Sequence, residues 1–488
     1  MTDDVGRERA LDLATAWFEH AEATLNRARL LQVRLGAGRF TCVLSMLHAS
    51  ARARMADGIQ GSTASVGWTE RLRWAAWKAR SWVRRERRHD PSGRGGILLA
   101  PRREGHLRQM AGAAALLRHR GVPVSWLLFR KDLAQRLNDR GERVLWADTL
   151  GNASDVDWAL GAADWARAAS QLQAKPPPDA DRSAWRRARY GLLSAVAVEG
   201  PDVFRLAAIY RRLLVALAPD LLVVGNPYTF EGAVGCAAAE VRGIPTATLQ
   251  HGRIAQGQQE WRRARVDHVT VWGEDGAAAL RAAGFKERPR LTGNPELDDV
   301  RWSRSTLSID VLVALSGAGH MVSHADHWTA VDRIVTAARA LPDRRWRIRL
   351  HPKDPEAPYR KKLDGVPNLE LDARRPTPLL DELGRVRTLL TVSSGAAVEA
   401  MLRDVPVVTL DVPGSPTPQY VPAGATYHVA GNGLDLAHVI RRLLDEGPAP
   451  AVAESAARYV RMYYGPLDGR SAERLADAWL EWTRSGIH

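Results

Sequence analysis

From Ile97 onward the chain is a series of short apolar runs separated by longer stretches whose apolar residues recur at helical spacing. The runs cover Ile97 to Ala100, Val122 to Phe129, Leu221 to Val224, Thr246 to Leu249, His268 to Trp272, Val311 to Leu315, Trp346 to Leu350, Thr388 to Val392 and Val407 to Leu410. Short runs alternating with helices predict an α/β fold built on parallel sheets, and this number suffices for two doubly wound, Rossmann-like domains. They are expected over 93–300 and 301–450, with helices over 451–488 packing back on the first domain. Lys175-Pro176-Pro177-Pro178-Asp179-Ala180-Asp181 reads as a loop inside the first domain. Upstream the pattern differs. Arg7 to Leu35 reads as mainly helical and Asp90 to Gly96 as a break, so residues 1–92 are expected to be a separate extension.

At 488 residues the chain is too long for one core of ordinary size, and 45% apolar with 25% charged residues is the composition of a folded protein. Cys42 and Cys236 are the only cysteines, which excludes a disulfide scaffold or a cysteine-rich zinc module and fits a reducing cytosol. No run reaches the 18 or so apolar residues of a spanning helix, and Met1-Thr2-Asp3-Asp4 is unlike a secretory signal, so the expected location is cytoplasmic.

Lys plus Arg exceeds Asp plus Glu by 14. Half of that excess lies between Arg71 and His89, where eight basic residues stand against Glu86 alone. Trp68, Trp74, Trp77 and Trp82 are interleaved with them, and neither Gly nor Pro occurs from Thr69 to Asp90. A helix of this composition suits an anionic membrane surface, which would place the protein peripherally on the inner face of the cell membrane with a lipid-linked acceptor. The competing expectation is an accessory helix whose tryptophans pack on the body while its arginines are solvated. Nucleic acid is set aside, because no recognised nucleic-acid motif accompanies the charge.

In open parallel sheets ligands bind beyond the carboxyl ends of strands, so chemistry is sought in the following loops. Arg102-Arg103-Glu104-Gly105-His106 follows the first strand and opens a helix. His106 is a candidate base, its ordinary pKa near 6.5 suiting proton abstraction from a hydroxyl, with Glu104 in reserve. The alternative is an ordinary residue at a helix start. Gln250-His251-Gly252-Arg253 leaves the strand ending at Leu249 and offers polar groups to the same crevice, although His251 can equally be a structural histidine. His351-Pro352-Lys353-Asp354 ends another strand, with His351 and Lys353 able to meet an anion. Ser393-Ser394-Gly395 precedes a helix from about Ala396 to Arg403, offering hydroxyls and main-chain N–H groups to a phosphate and Glu399 to ribose hydroxyls; alone, it is also an ordinary helix cap. Ser316-Gly317-Ala318-Gly319 is a further glycine-rich candidate for the same donor. Asp179-Ala180-Asp181 has the form of a metal-dependent sugar-nucleotide motif but lies in the proline-rich loop. His320, His324 and His327 lack a partner set for a metal. Neither a resident metal nor a cofactor is expected.

Taken together, these residues resemble a GT-B glycosyltransferase, the class with two facing Rossmann-like domains. Pro101 to Val124 is similar to the acceptor-side loop and helix of nucleotide-sugar glycosyltransferases. Gly243-Ile244-Pro245-Thr246 leading to Gln250-His251-Gly252, Asp267 to Gly273, and Leu291-Thr292-Gly293-Asn294-Pro295 resemble capsule- and teichoic-acid-type polymer transferases. His351-Pro352 with Ser393-Ser394 resembles motifs of sialyl-, Kdo- and glycerophosphotransferases, which use cytidine-nucleotide donors. Val392 to Val408 is similar to the donor-domain helix of the superfamily, and Pro466 to Arg470 to the lead-in of its terminal crossing helix. The resemblance spans roughly Gly96 to Trp482. Where sialyltransferases carry an acidic Asp/Glu-Asp/Glu-Gly motif this chain has Arg103-Glu104-Gly105, which points away from sialic acid and towards His106 as base.

The resemblance implies a metal-independent transferase for cell-surface polysaccharide or glycoconjugate synthesis. It would move a sugar or polyol phosphate from a nucleotide donor, a cytidine nucleotide among the candidates, to a hydroxyl acceptor. With base and phosphate site in different halves, the cleft between them would have to close. Two alternatives stand beside it: a sugar-nucleotide 2-epimerase, although Gly252 stands where that enzyme's glutamate is expected, and a non-catalytic nucleotide-sugar-binding membrane scaffold.

Overall fold

The computed structural model describes residues 94–150, 206–207, 209–254, 261, 264–299, 306–315, 317, 322–351, 354–374, 377–412 and 417–484, together with two short strands, β1 (Val33–Leu35) and β2 (Gly38–Phe40). These two pair antiparallel, so Val33 to Leu35, expected at the end of a mainly helical stretch, are strand, and the rest of that stretch lies outside the described residues. The Arg71 to His89 segment, Asp179 to Asp181, Ser316, Gly319 and Lys353 lie outside the described residues.

One sheet holds β3 (Ile97–Ala100), β4 (Val124–Leu128), β5 (Val144–Trp146), β6 (Leu221–Val224), β7 (Thr246–Leu249), β8 (His268–Val271) and β9 (Arg290–Leu291). All neighbours are parallel, in the order β5-β4-β3-β6-β7-β8-β9. The other holds β10 (Ile309–Ala314), β11 (Trp346–Arg349), β12 (Leu369–Asp372), β13 (Val386–Thr391), β14 (Val407–Leu410) and β15 (Tyr427–Val429), again all parallel, in the order β12-β11-β10-β13-β14-β15. Each sheet reverses its direction of growth once, between β3 and β6 and between β10 and β13. A crevice opens at the carboxyl ends of the strands at such a point.

The helices are α1 (Glu104–His119), α2 (Lys131–Asn138), α3 (Ala147–Leu150), α4 (Phe230–Glu240), α5 (Glu274–Ala282), α6 (His324–Ala340), α7 (Glu356–Leu363), α8 (Leu379–Leu383), α9 (Ala396–Leu402), α10 (Gly433–Glu446), α11 (Pro450–Tyr464) and α12 (Ser471–Arg484), with a further helix over 209–217. Alternate residues of a strand face opposite sides, so β3 contributes Ile97 and Leu99 to one layer and Leu98 and Ala100 to the other. The first layer is completed by Leu107 and Met110 of α1, Leu133 of α2 and Trp479 of α12. The second is completed by Leu213, Val234 of α4 and Leu280 of α5. On the other sheet, one face carries a core with Val331 and Ile334 of α6, Tyr359 of α7 and Ile440 of α10. Each such apolar side chain contributes about 1.5–3 kcal/mol on burial.

The chain forms two compact units, the first comprising residues up to 272, 276–298 and from 468 on, the second 273–275 and 299–467. The terminal segment expected over 451–488 is therefore divided, α11 belonging to the second unit and α12 to the first. Asp298 fixes the start of α12 by accepting the N–H groups of Ser471 at 2.9 Å and Ala472 at 2.6 Å. Arg474 donates to the Thr292 carbonyl at 2.8 Å and pairs with Asp468. Gly112 of α1 lets α12 approach closely, since a Cβ there would stand 2.9 Å from that of Ala472. Among the described residues no helix is long and apolar enough to cross a membrane.

Candidate functional site

In the first unit, β3 gives way at Pro101 and an extended Arg103 leads into α1, which places His106 in the first turn, pointing inward and only 1% exposed. β7 ends at Leu249, and His251 leaves it half-buried. Since β3, β6 and β7 are neighbours, the two imidazoles meet, with centroids 4.3 Å apart and planes inclined by 55°. The floor is Gly225, directly after β6, where a Cβ would come within 2.1 Å of His106 Nδ1. The two histidines were legible as strand-end residues, whereas the glycine that admits one of them was not.

The Arg102 N–H lies 3.3 Å from His106 Nδ1 and Arg103 Nε 3.1 Å from Nε2. A neutral imidazole has one N–H and one lone pair, so only one of these contacts is a hydrogen bond. Whichever nitrogen bears the lone pair, an arginine N–H stands on it. Burial, then His251, Arg103 and Arg102, hold the His106 pKa down at about 2. Burial and then Arg103 lower that of His251 to about 4, against weaker main-chain contacts with Leu249 and Gly225. Both rings are therefore neutral at physiological pH.

The other candidates of this unit have different surroundings. Glu104 is half-buried and pairs with Arg136. Gln250, expected at the acceptor, is 2% exposed and occupied at both ends: its Oε1 accepts the Trp272 N–H at 2.9 Å and its Nε2 donates to the Gly252 carbonyl at 3.0 Å. It braces the turn that presents His251. Gly252 and Arg253 are half-buried beside it. Gln109, one turn beyond His106, went unrecognised in the sequence. Its Nε2 donates to Asn294 Oδ1 at 3.0 Å and Glu296 Oε1 at 2.9 Å, and its Oε1 accepts from Trp272 Nε1 at 3.3 Å. The loop after β9 is thereby fastened to the helix that carries His106.

In the second unit, His351 ends β11 half-buried, and its carbonyl accepts the Asp354 N–H at 3.0 Å. Gly317, in the loop after β10, has φ +87°, and a Cβ there would stand 2.8 Å from His351 Nδ1 and 3.3 Å from Asp354 Oδ1. Glycine is required both by that backbone and by the neighbouring ring. Behind this loop Tyr359 donates its hydroxyl hydrogen to Asp354 Oδ2 at 2.8 Å, so the 2.6 Å contact with His327 is a donation from Nε2. His327 is thus held within the packing between α6 and α7. Among the described residues no group of three or more His, Cys, Asp or Glu is placed to hold a metal ion.

Ser393 is buried. Ser394 Oγ accepts the Ala396 N–H at 3.2 Å, and its carbonyl accepts from Tyr420 at 3.2 Å. Gly395 is exposed, with no atom within 4 Å of where a Cβ would be, and Glu399 is half-buried in the short helix α9. The adjacency of β11, β10 and β13 sets His351, Gly317 and Ser393 to Gly395 along one carboxyl edge, at the reversal point of the sheet.

No family model matches the chain, and no curated protein matches it in sequence. Solved structures do match it in fold. The UDP-GlcNAc 2-epimerase of Neisseria meningitidis bound to UDP-GlcNAc superposes with a TM-score of 0.51 at 14% identity, over 79% of this chain and 99% of its own. A second UDP-N-acetylglucosamine 2-epimerase gives 0.50 at 14% identity, over 80% and 96%. The calicheamicin glycosyltransferase CalG4 gives 0.45 at 18% identity, over 80% and 98%. Two Rossmann-like parallel sheets with this strand order are the architecture of the GT-B fold class, to which the chain's fold belongs.

Proposed function

We propose that this protein transfers a sugar, or a sugar-like polyol phosphate, from a nucleotide-activated donor to a hydroxyl acceptor. The observation that carries the proposal is the contact between two imidazoles, His106 and His251, at the carboxyl edge of β3 and β7. His106 takes the proton of the acceptor hydroxyl as the oxygen attacks the donor. The second unit supplies the donor site. His351 and the main chain of Gly317 and Ser393 to Gly395 receive the phosphates, with Lys353 as a further cation, and Glu399 takes the ribose hydroxyls. These groups offset charge on the leaving nucleotide without a resident metal.

The Neisseria meningitidis epimerase that shares the fold is bound to UDP-GlcNAc, so uridine donors are tested beside cytidine ones. Thermal shift and calorimetry against CMP, CDP, UDP, GDP and dTDP come first, because a ligand selective for the folded state raises apparent stability with its affinity. The expected result is stabilisation by one nucleotide class, lost in His351→Ala. Transfer by the matching nucleotide sugar should collapse in His106→Ala while nucleotide binding survives. Stabilisation by none of the five refutes the proposal. Conversion of the donor alone, in the absence of acceptor, would instead identify a 2-epimerase. A lipid-linked acceptor is part of the proposal through the segment 68–89. Flotation with anionic liposomes should be lost when residues 1–92 are removed, and equal flotation rejects that part.

A further inference from the structure

Arg103 decides whether His106 can act. Its Nε stands 3.1 Å from His106 Nε2, the Arg102 N–H covers Nδ1 at 3.3 Å, Gly225 backs the ring and His251 lies against its face. The neighbouring Arg102 side chain is held by Glu231 at 3.3 Å. Arg103 is exposed, and among the described residues it has no carboxylate partner. A guanidinium resting on a weak imidazole acceptor, with no acid of the described residues on its fork, is built to exchange that contact for a phosphate or carboxylate.

We infer that the acceptor carries an anionic group, phosphate or carboxylate, beside its reacting hydroxyl, and that Arg103 leaves His106 for this group as the acceptor binds. The inference rests on the transferase proposal and names its acceptor class. With the ring hydrogen on Nδ1, departure of Arg103 uncovers the Nε2 lone pair for the hydroxyl. The proton passes from that hydroxyl to His106, and the oxygen forms its bond to the reacting centre of the donor. The bond from that centre to the nucleotide phosphate oxygen breaks, the nucleotide leaving with the electron pair. The same exchange makes the imidazolium less unfavourable, since a cation moves off and an anion arrives. The charged and titratable groups around the ring are Arg102 and Arg103 after β3, His251 after β7, and Glu231 of α4 through Arg102.

The test uses the full chain with 15N-labelled histidine, His106 being identified by the signals lost in His106→Ala. Inorganic phosphate and acetate are titrated separately at fixed ionic strength against chloride. Phosphate, acetate or both should shift the His106 ring nitrogens saturably, and the stronger of the two identifies the anion. In Arg103→Ala the apparent affinity should fall about tenfold or more, and Arg103→Lys should retain part of it, keeping the charge but losing the fork. An unmoved His106 signal with both anions, or an equal response in Arg103→Ala, overturns the inference. The two levels fail separately. A phosphate response without turnover on any nucleotide sugar leaves the anion site standing and removes the transferase. Turnover that is equal for matched alcohols with and without a phosphate does the reverse.

Discussion

Gly225→Ala is the most direct trial of the site's construction. The Gly225 backbone lies outside the left-handed region, so alanine brings no backbone strain of its own. The added Cβ would stand 2.1 Å from His106 Nδ1, 2.7 Å from Cγ and 3.0 Å from Cβ. Ordinary contact between such atoms is roughly 3.5 Å, so the ring must move by more than about 1 Å. It has nowhere to go, with His251 on its face and the Arg102 main chain at its edge. Overpacking of this kind costs about 1–3 kcal/mol. A 2 kcal/mol loss lowers the melting midpoint of a domain of 150–250 residues by about 4–8 °C. Calorimetric or urea unfolding reads it, with Gly252→Ala as control, since no atom lies within 4 Å of a Cβ there. His106→Ala removes the obstruction, so Gly225→Ala should be nearly neutral in that background, a coupling of about 1–3 kcal/mol. If the cost of Gly225→Ala is the same with and without the imidazole, the packing described for this site is wrong.

Tyr359→Phe removes the hydroxyl between His327 and Asp354 and leaves both short of a partner. It should cost about 1–3 kcal/mol in urea unfolding and, at the proposed donor site, weaken nucleotide binding, while a cost below about 0.5 kcal/mol would deny the chain of hydrogen bonds. The histidines set a pH dependence. The unfolded chain protonates near pH 6.5, whereas folded His106 and His251 resist until about 2 and 4, so their contribution is complete above 6.5 and is lost as pH falls, down to about 4 for His251 and about 2 for His106. Each adds a slope of up to about 1.4 kcal/mol per pH unit, and urea midpoints at pH 7 and pH 5 should converge in His106→Ala relative to the parent. Asp298→Ala should cost about 0.5–2 kcal/mol by uncapping α12, with a change in tryptophan emission from Trp479 and Trp482. Unchanged emission through the same transition would argue against docking through this cap.

All nine apolar runs of the sequence are strands, and the four strands it concealed in the two parallel sheets, β5, β9, β12 and β15, are the edges of those sheets. An inner strand such as β3 is covered on both faces and reads as Ile-Leu-Leu-Ala, whereas an edge is short and partly wet, as in Arg290–Leu291, both exposed. The site followed the same division. His106, His251, His351 and Ser393 to Gly395 could be named because loops after inner strands converge, a rule that needs only strand positions. What surrounds them could not. Gln109 finds partners 185 and 187 positions away, and Gly225 matters only because β6 pairs with β3, which one-dimensional pattern does not encode. Gln250 misled because a polar residue after a strand can serve a ligand or the turn itself, and two main-chain partners took both its ends.

The placement of α12 has a consequence for synthesis. One of the two layers covering the first sheet is closed by Leu475, Ala476, Ala478, Trp479 and Trp482, against residues of β3, β4 and α1 made hundreds of codons earlier. A ribosome therefore completes the whole second unit while the first still presents an open apolar face. The half that emerges first is the last to be sealed, and until it is, that face is the natural target for chaperones and for misassembly.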